Sequence, residues 1–474
     1  MQPCFLAVDI GASSGRHIVG TVQDGKITLQ EVYRFENGVR RENGHLCWNI
    51  DVLAAEVVNG LKAAHDAGYT PATIGIDTWA VDFVLLDADG QRIGDAVAYR
   101  DERTEGVRET LERDYGLTFA EHYARTGIQY QKFNTVYQLM ALKQEHPDQL
   151  AAAKTFLMVP DYLNYLLCGV AANEYTNAST TALVGADSKD WDDALIAMLG
   201  LPRDIFQSVK MAGTVLGHLT PEMQAKVGFD AEVILPATHD TGSAFLAVPA
   251  RDEFAAYLSS GTWSLLGVEN AAAITSADSC VANFTNEGGY EYRYRYLKNI
   301  MGLWMIQSVR RELGEQNGTR PSFPELIAAA KEAADFASCV DPNDSRFLAP
   351  TSMIAEVKAA CADTHQPMPQ TTGEVMQCIY NSLTQDYRRA TETLQALTGK
   401  TYTSLNIVGG GSQDGYLNQL TANATGLPVF AGPTEGTALG NLMVQFIHAG
   451  VFADLAEARA AIKRSFEIKE YNPQ

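Results

Sequence analysis

A carboxylate followed by glycines and hydroxyls lies close to the start of the chain. Residues 5–16 read Phe-Leu-Ala-Val-Asp-Ile-Gly-Ala-Ser-Ser-Gly-Arg, so an apolar strand ends on Asp9. A carboxylate there suits a hydrated cation, and the small residues 11–15 leave N–H and O–H donors open to phosphate oxygens. The apolar residues that follow Arg16 predict a second strand, and therefore a hairpin. A Gly-Ser turn that binds nothing is an equally good interpretation of this segment alone.

A second carboxylate, Asp240, follows the apolar residues 233–236 in the sequence Thr-His-Asp-Thr-Gly-Ser. An ionised carboxylate in this position can accept a proton from a substrate hydroxyl, a contribution of roughly 10² to 10⁴ in rate. The competing interpretation is a helix N-cap, for which Asp is a favoured residue, and this segment alone slightly favours the cap. His239 by itself is more typical of a packed, hydrogen-bonded histidine than of a catalytic one.

Two glycine-rich segments lie late in the chain. The glycines at 409–411 follow a buried-type strand and precede a helix that ends near Gly426, so the backbone can approach a nucleotide closely. The dinucleotide fingerprint is not met, because Asp414 stands where its last glycine belongs. The segment 432–441 suits a ligand site and a glycine-packed helix crossing about equally.

The elements that position these residues are strands and helices in alternation. The predicted strands are 5–9, 17–23, 26–34, 73–78, 231–236 and 404–408, and residues 255–268 repeat the pattern of strand, hydroxyl-rich glycine turn and strand. A capping box at Thr371 and Glu374, with Gly399 at the far end, predicts one long helix. With 474 residues the chain is expected to form two α/β domains, 1–245 and 246–474.

Composition excludes several classes of function. The formal net charge of −21 argues against a nucleic-acid partner, because phosphate backbones attract clustered Lys and Arg. No apolar run is long enough to cross a bilayer, and the first residues do not read as a signal peptide, so a cytoplasmic protein without a membrane partner is expected. The seven cysteines contain no C-x-x-C pair, which argues against a zinc site. Cys361 and Cys378 flank a turn-rich stretch and could meet, but their spacing does not by itself favour a disulfide.

Taken in order along the chain, the motifs resemble the FGGY family of carbohydrate kinases. They are Asp-Ile-Gly-Ala-Ser-Ser-Gly-Arg from Asp9, Thr-His-Asp-Thr from Thr238, Ser-Ser-Gly-Thr-Trp-Ser from Ser259 and Val-Gly-Gly-Gly-Ser-Gln from Val408. The resemblance covers essentially the whole chain. It implies two ribonuclease-H-like domains of the actin-like ATPase fold with a central cleft. The sugar would lie against the N-terminal domain and ATP mostly against the C-terminal one.

The same resemblance implies a role for individual residues. Asp240 would be the general base that takes the proton from the C1 hydroxyl of L-rhamnulose as this hydroxyl attacks the γ-phosphate of ATP. Asp9 would help to hold Mg²⁺, through water. The remaining residues are Ala12, Ser13, Ser14, Gly15, Arg16 and Thr262 for the phosphates, Gln307 and Gly411 for the nucleotide, and Ala80, His239, Thr241 and Asn299 for the sugar.

Two departures from the family pattern concern the same site. Ala80 stands where the family usually has glycine, so a backbone contact to the sugar requires room for the methyl group. Asp414 stands where Asn is frequent, and a carboxylate facing the phosphates would be costly.

Alternative functions remain at this point. Another sugar kinase of the family, acting on L-fuculose or a pentulose, would share every phosphate motif. An actin-like nucleotide-gated protein would share the fold but would hydrolyse ATP without a sugar. A monomer or a small homo-oligomer is expected.

Overall fold

The computed structural model describes residues 3–474, and the chain divides into two compact units. The first unit holds the chain up to Ala247 together with Glu269–Tyr296 and Gly436–Ser465. The second unit consists of Val248–Val268, Leu297–Glu435 and Phe466–Gln474. The first crossing thus lies two residues beyond the predicted border at 245. Two later segments that the prediction gave to the second domain belong to the first unit.

The strands are numbered in chain order. They are β1 Cys4–Ile10, β2 Ser14–Gln23, β3 Lys26–Glu36, β4 Val39–Glu42, β5 His45–Trp48, β6 Thr73–Thr78, β7 Phe83–Leu86, β8 Arg92–Ile93, β9 Thr155–Met158, β10 Asn173–Glu174, β11 Val209–Lys210, β12 Val215–His218, β13 Glu232–Ile234, β14 Ala255–Ser260, β15 Trp263–Asn270, β16 Thr285–Gly288, β17 Tyr294–Met301, β18 Ser404–Val408, β19 Val429–Ala431 and β20 Lys469–Tyr471.

The α-helices are numbered in the same way. They are α1 Ile50–Asp66, α2 Val107–Tyr115, α3 Phe119–Thr126, α4 Thr135–Glu145, α5 Pro147–Ala152, α6 Val159–Cys168, α7 Tyr175–Ala178, α8 Asp193–Met198, α9 Pro221–Val227, α10 Asp240–Leu246, α11 Ala277–Val281, α12 Trp304–Asn317, α13 Phe323–Glu332, α14 Met353–Asp363, α15 Thr372–Thr398, α16 Gly415–Thr425, α17 Gly436–His448 and α18 Leu455–Ser465.

The main sheet of the first unit has the strand order β12-β13-β6-β1-β2-β3. Strands β1, β2 and β3 form an antiparallel meander, while β6 runs parallel to β1 and β13 parallel to β6. Strand β1 is buried on both faces, which explains its unbroken apolar run. Leu6 packs in one core with Val57 of α1, and on the other face the Phe5 ring meets Phe446 of α17 at 5.2 Å.

A second sheet has seven strands in the order β16-β17-β15-β14-β18-β19-β20, and its six strands from β20 back to β17 repeat the order of the first. Strands β14 and β15 form an antiparallel hairpin, and β14, β18 and β19 run parallel. The last strand of each sheet, β12 or β20, is antiparallel to its neighbour. The repeated hairpin that the sequence predicts at 255–268 is therefore confirmed, and it opens the second sheet as β1 and β2 open the first.

The long helix predicted from the capping box is confirmed as α15. Thr371 and Glu374 make both bonds of the box, and Gly399 ends the helix in the left-handed conformation. Helix α16 likewise ends at Gly426, as predicted. Within residues 3–474, no helix combines the length and apolar character needed to span a bilayer.

Candidate active site

The first predicted phosphate segment is the tip of the β1–β2 hairpin. Asp9, next to the end of β1, lies opposite Arg16 of β2, whose Nη2 and Nε donate to Asp9 Oδ2 at 2.9 and 3.2 Å. The turn is closed by the Gly11 N–H, which donates to the Ser14 carbonyl at 2.9 Å. Asp9 is therefore a buried carboxylate neutralised on one side by a guanidinium, held at the end of a rigid strand.

The turn between the two strands leaves donors open. Ala12 and Ser14 are partly exposed and Ser13 is exposed, and within residues 3–474 the Ser13 and Ser14 hydroxyls have no hydrogen-bond partner. Gly15 has a different reason to be glycine, because a Cβ there would overlap the Phe35 ring. The hydroxyls of this turn can therefore donate to phosphate oxygens, while Gly15 is required by packing.

A third carboxylate, which the sequence analysis did not single out, lies beside Asp9. Asp77 of β6 is in register with Asp9 of β1, is fully buried, and accepts from Asn441 Nδ2 at 2.6 Å. Its other oxygen, Oδ1, has no partner in residues 3–474. Burial and the charges of Asp9 and Asp240 raise the pKa of Asp77 well above its usual value. Without a metal cation nearby, Asp77 therefore holds a proton more readily than an ordinary aspartate does.

A buried ladder of amides orients Asp77 from behind. Asn441 of α17 also donates to the Gly75 carbonyl at 3.0 Å, and its Oδ1 accepts from Gln445 Nε2 at 2.7 Å. Gln445 Oε1 in turn accepts from the Thr73 hydroxyl at 2.6 Å. Apart from the bond between the two amides, each of these bonds joins α17 to β6 within the first unit. Because the amide oxygens of Gln445 and Asn441 both accept hydrogen bonds, Asn441 must present its NH₂ group, a donor, to Asp77.

Asp240 is the first residue of α10, and the N-cap position falls on His239. The N-cap role considered for Asp240 is therefore wrong, because the helix begins at Asp240 itself, one residue earlier than that role requires. Asp240 Oδ1 instead accepts from the Thr241 N–H at 2.6 Å and from the Thr241 hydroxyl at 3.1 Å. Burial, followed by the charge of Asp9, raises the pKa of Asp240 to about 7. With 32% of its side chain exposed, Asp240 can exchange a proton with a bound molecule near neutral pH.

The loop that carries Asp240 is held by one buried carboxylate, Glu174. Its Oε2 accepts from the Thr238 N–H and hydroxyl, each at 3.0 Å, and from the Thr176 N–H at 2.9 Å. The Thr176 hydroxyl also bonds to Oε2. Since Thr238 in addition accepts from Thr78 N at 2.9 Å, the backbone entering α10 has little freedom.

His239 is packed and hydrogen-bonded, as its sequence context indicates. The ring is buried, and Nδ1 lies 3.0 Å from Nη2 of Arg295, while Nε2 lies 3.4 Å from Asp240 Oδ1. Burial, and then the charge of Arg295, lowers the pKa of His239 well below its usual value. His239 is therefore a neutral imidazole beside Asp240. Neither Arg295 nor its partner Glu287 was selected from the sequence.

Ala80 lies in a strained loop between β6 and β7. The next residue, Val81, has a φ of +68°, which a β-branched residue seldom adopts. Asp82 fixes this loop by accepting from Trp48 Nε1 at 2.6 Å, Trp79 Nε1 at 3.0 Å and the Tyr99 N–H at 3.1 Å. Gln138 Nε2 donates to its other oxygen at 2.8 Å. The backbone at Ala80 is thus held in place from several sides.

The second unit groups three predicted nucleotide residues around its own hairpin tip. Thr262 is exposed between β14 and β15, and its carbonyl accepts from Gly302 and Trp304 at 3.2 Å. Gln307 follows one turn later in α12, partly exposed. Gly411 lies against the end of β14, where a Cβ would overlap the Ser260 side chain. Thr262, Gln307 and Gly411 therefore flank one end of this sheet.

Asp414 has a structural role. As noted from the sequence, its carboxylate would be costly if it faced the phosphates. It is the N-cap of α16, where Oδ1 accepts from Tyr416 N at 3.1 Å and Leu417 N at 3.0 Å. Its Oδ2 accepts from the Tyr380 hydroxyl at 2.7 Å. The carboxylate is therefore engaged by the protein itself.

Two further segments can now be assigned. Gly440 of α17 lies where a Cβ would overlap the Ser243 carbonyl of α10, so the helix-crossing interpretation of 432–441 is confirmed. Asn299, predicted to contact the sugar, is a partly exposed residue of β17, and no described contact joins its side chain to another predicted site residue.

Within residues 3–474, no group of three His, Cys, Asp or Glu side chains is arranged to hold a metal ion. All seven cysteines are free thiols, although the sulfurs of Cys361 and Cys378 approach to 3.7 Å.

Comparison with known families matches nearly the whole chain to two models. Residues 4–247 match the N-terminal domain, and residues 256–449 the C-terminal domain, of the FGGY family of carbohydrate kinases. A rhamnulokinase from Oceanobacillus iheyensis is 49% identical over 99% of this chain and 98% of its own length. A rhamnulokinase from Halalkalibacterium halodurans is 50% identical over 98% of both chains.

Solved structures with the same fold are more distant in sequence. A ligand-bound xylulose kinase from Lactobacillus acidophilus superposes with a TM-score of 0.82 at 16% identity, covering 100% of this chain and 94% of that one. A glycerol kinase from Plasmodium falciparum with ADP gives a TM-score of 0.78 at 14% identity, covering 100% and 95%. At such identities the likeness establishes the fold.

Proposed function

Because the chain belongs to the FGGY family of carbohydrate kinases, we propose that it transfers the γ-phosphoryl group of ATP to the C1 hydroxyl of L-rhamnulose. The products would be L-rhamnulose 1-phosphate and ADP, in the breakdown of L-rhamnose. The choice of sugar is supported by relatives that are 49% and 50% identical over nearly their full length and that are named rhamnulokinase. We propose that the reaction takes place in the cytoplasm, on a monomer or small homo-oligomer.

The observation that carries the chemistry is the environment of Asp240. This carboxylate has a pKa of about 7, remains one-third exposed, and follows a loop that Glu174 immobilises. We assign it as the base that receives the proton of the attacking hydroxyl. In phosphoryl transfer the protein mainly positions the reactants and neutralises charge, and a base whose pKa lies near the working pH adds to this by accepting the proton of the hydroxyl.

Further roles follow from where each side chain lies. Residues 12–14, with Arg16, offer hydroxyl, N–H and guanidinium donors for the phosphates, and Thr262, Gln307 and Gly411 form the nucleotide side of the second unit. His239, Thr241 and the rigid backbone at Ala80 would contact the sugar, as would Asn299 of β17.

The residues around Asp9 fit a magnesium ion. Mg²⁺ is usually held by one or two carboxylates, with waters and substrate phosphates completing its shell. Asp9 and Asp77 lie side by side, and Asp77 Oδ1 is a buried acceptor without a partner. Asp9 would hold the ion through water, and the bound ion would supply positive charge to the phosphate oxygens.

A panel of ketoses assayed with ATP tests the substrate. L-Rhamnulose, L-fuculose, L-ribulose and D-xylulose are compared by kcat/KM for ADP formation, and the phosphorylated carbon is identified by NMR. We expect L-rhamnulose to be preferred and to gain its phosphate at C1. A higher kcat/KM for another ketose would replace the substrate assignment, and equal ATP turnover without sugar would favour an actin-like nucleotide-gated function.

A further inference from the structure

Arg295 is a charged side chain buried almost completely beneath the site. It lies on β17 with 1% of its surface exposed. A buried guanidinium is costly unless its charge and its donors are matched. Nε donates to the Gly288 carbonyl at 2.8 Å, and Nη1 forms an ion pair with Glu287 Oε2 at 3.0 Å. The third nitrogen, Nη2, lies 3.0 Å from Nδ1 of His239.

This contact determines which nitrogen of His239 carries the proton. Arg is always charged and carries only donors, so Nη2 can meet Nδ1 only if Nδ1 presents its lone pair. Glu287 Oε2 is also near Nδ1, but farther away at 3.4 Å, and a proton on Nδ1 would face the proton of Nη2. In a neutral imidazole with Nδ1 bare, the proton is on Nε2.

The position of the proton on His239 affects the neighbouring carboxylate, Asp240. Nε2 of His239 lies 3.4 Å from Oδ1 of Asp240. An N–H in this position can donate to the carboxylate or to a sugar oxygen that lies beside it. With the opposite tautomer, a nitrogen lone pair would face the carboxylate, which is repulsive and offers no donor to the sugar.

We propose that Arg295, held by Glu287, is a positioning residue that fixes His239 as the Nε2–H tautomer and so keeps an N–H donor beside Asp240. The part of this proposal that concerns turnover rests on the proposed sugar kinase function. The tautomer itself does not depend on any substrate.

Nitrogen-15 NMR of the full-length protein labelled at histidine tests the tautomer without sugar or ATP. The signal of His239, one of nine histidines, is identified by its loss in His239→Gln. We expect a protonated Nε2 and a bare Nδ1. In Arg295→Met/Glu287→Gln, which removes both buried charges together, we expect a mixture of tautomers, whereas Arg295→Lys retains a donor-only group as the conservative variant. A protonated Nδ1 in the unmodified protein would overturn the proposal.

A double-mutant cycle tests whether Arg295 acts through His239. Arg295→Met/Glu287→Gln should lower kcat/KM for L-rhamnulose about tenfold, the size expected for one well-placed hydrogen bond. In the His239→Gln background the same pair of changes should have almost no effect. An equal loss in both backgrounds would show a merely structural role and would contradict the proposal. Failure of the ketose panel would leave the NMR result unaffected, so the two failures are distinguishable.

Discussion

Asp77 and Asp9 occupy paired positions on the adjacent parallel strands β6 and β1, so two carboxylates lie side by side at the end of one sheet. Arg16 bonds Asp9 at 2.9 Å, and Asn441 bonds Asp77 at 2.6 Å. The two groups therefore differ in their surroundings although their backbones are equivalent. Asp9 has a cation as its partner, while Asp77 has a neutral amide and complete burial, which favour its protonated form.

A substitution at Asp77 tests this difference. If Asp77 is neutral, Asp77→Asn preserves both its shape and its charge, and the free energy of unfolding at pH 7 should change by less than about 1 kcal/mol. Asp77→Leu removes the acceptor of Asn441 Nδ2 and should cost about 2 kcal/mol. Chemical denaturation measures both values. A large loss in Asp77→Asn would indicate that the folded protein requires the charged form.

Asp240→Asn should abolish the base while leaving the surrounding donors in place. We expect kcat for sugar phosphorylation to fall by roughly 10² to 10⁴, with the Kd for ATP nearly unchanged. Turnover and calorimetric titration with nucleotide measure the two quantities. Asp66→Asn, a change of the same type at an exposed site, is the matched control. Near-normal turnover in Asp240→Asn would remove Asp240 as the base.

The pH dependence of kcat/KM follows from the raised pKa of Asp240. A base acts only when it is deprotonated, so kcat/KM for the ketose should rise with pH through about 7 and level off above. The charge of Asp9 contributes to the raised pKa of Asp240. Asp9→Asn should therefore move this rising limb of the pH profile to lower pH while reducing turnover. Asp24→Asn, at an exposed turn, should leave the limb in place. A limb that stays near pH 7 in Asp9→Asn would contradict the coupling.

Neighbouring glycines give a matched steric test in the second unit. A Cβ at Gly411 would overlap Ser260, whereas a Cβ at Gly410 meets nothing within 4 Å. Gly411→Ala should therefore lower the free energy of unfolding by about 1–3 kcal/mol or raise KM for ATP, and Gly410→Ala should do neither. Ser260→Gly introduced together with Gly411→Ala should restore much of the loss. Equal effects of the two alanines would show that crowding at Ser260 is not the cause.

The prediction of the family and fold from short motifs is confirmed. Each motif is a run of neighbouring residues in which an apolar strand gives way to a carboxylate, glycines or hydroxyls, so it can be recognised without knowledge of the fold. The strands β6 and β18 have the predicted bounds, and α15 begins at its capping box. Local signals succeed there because alternation, caps and turn residues act over a few positions.

The partners of the site residues could not be predicted in the same way. Arg295 and Asn441 lie 56 and 364 positions along the chain from the groups they orient. No local pattern marks either residue, since an isolated Arg in a strand or an Asn in a helix is ordinary. The return of 436–465 to the first unit was missed for the same reason, because it depends on the packing of α17 against β1 and β6.

The order of residues along the chain was thus sufficient to predict the family and the two-domain α/β fold, and it selected Asp240 and the glycine-rich turns as candidates, because each of these features is carried by neighbouring residues. The folded structure was needed for the raised pKa of Asp77, the tautomer of His239 and the hydrogen bonds of the Asp414 carboxylate. Those properties are set by burial and by hydrogen bonds between distant segments, and burial exists only once the chain has folded.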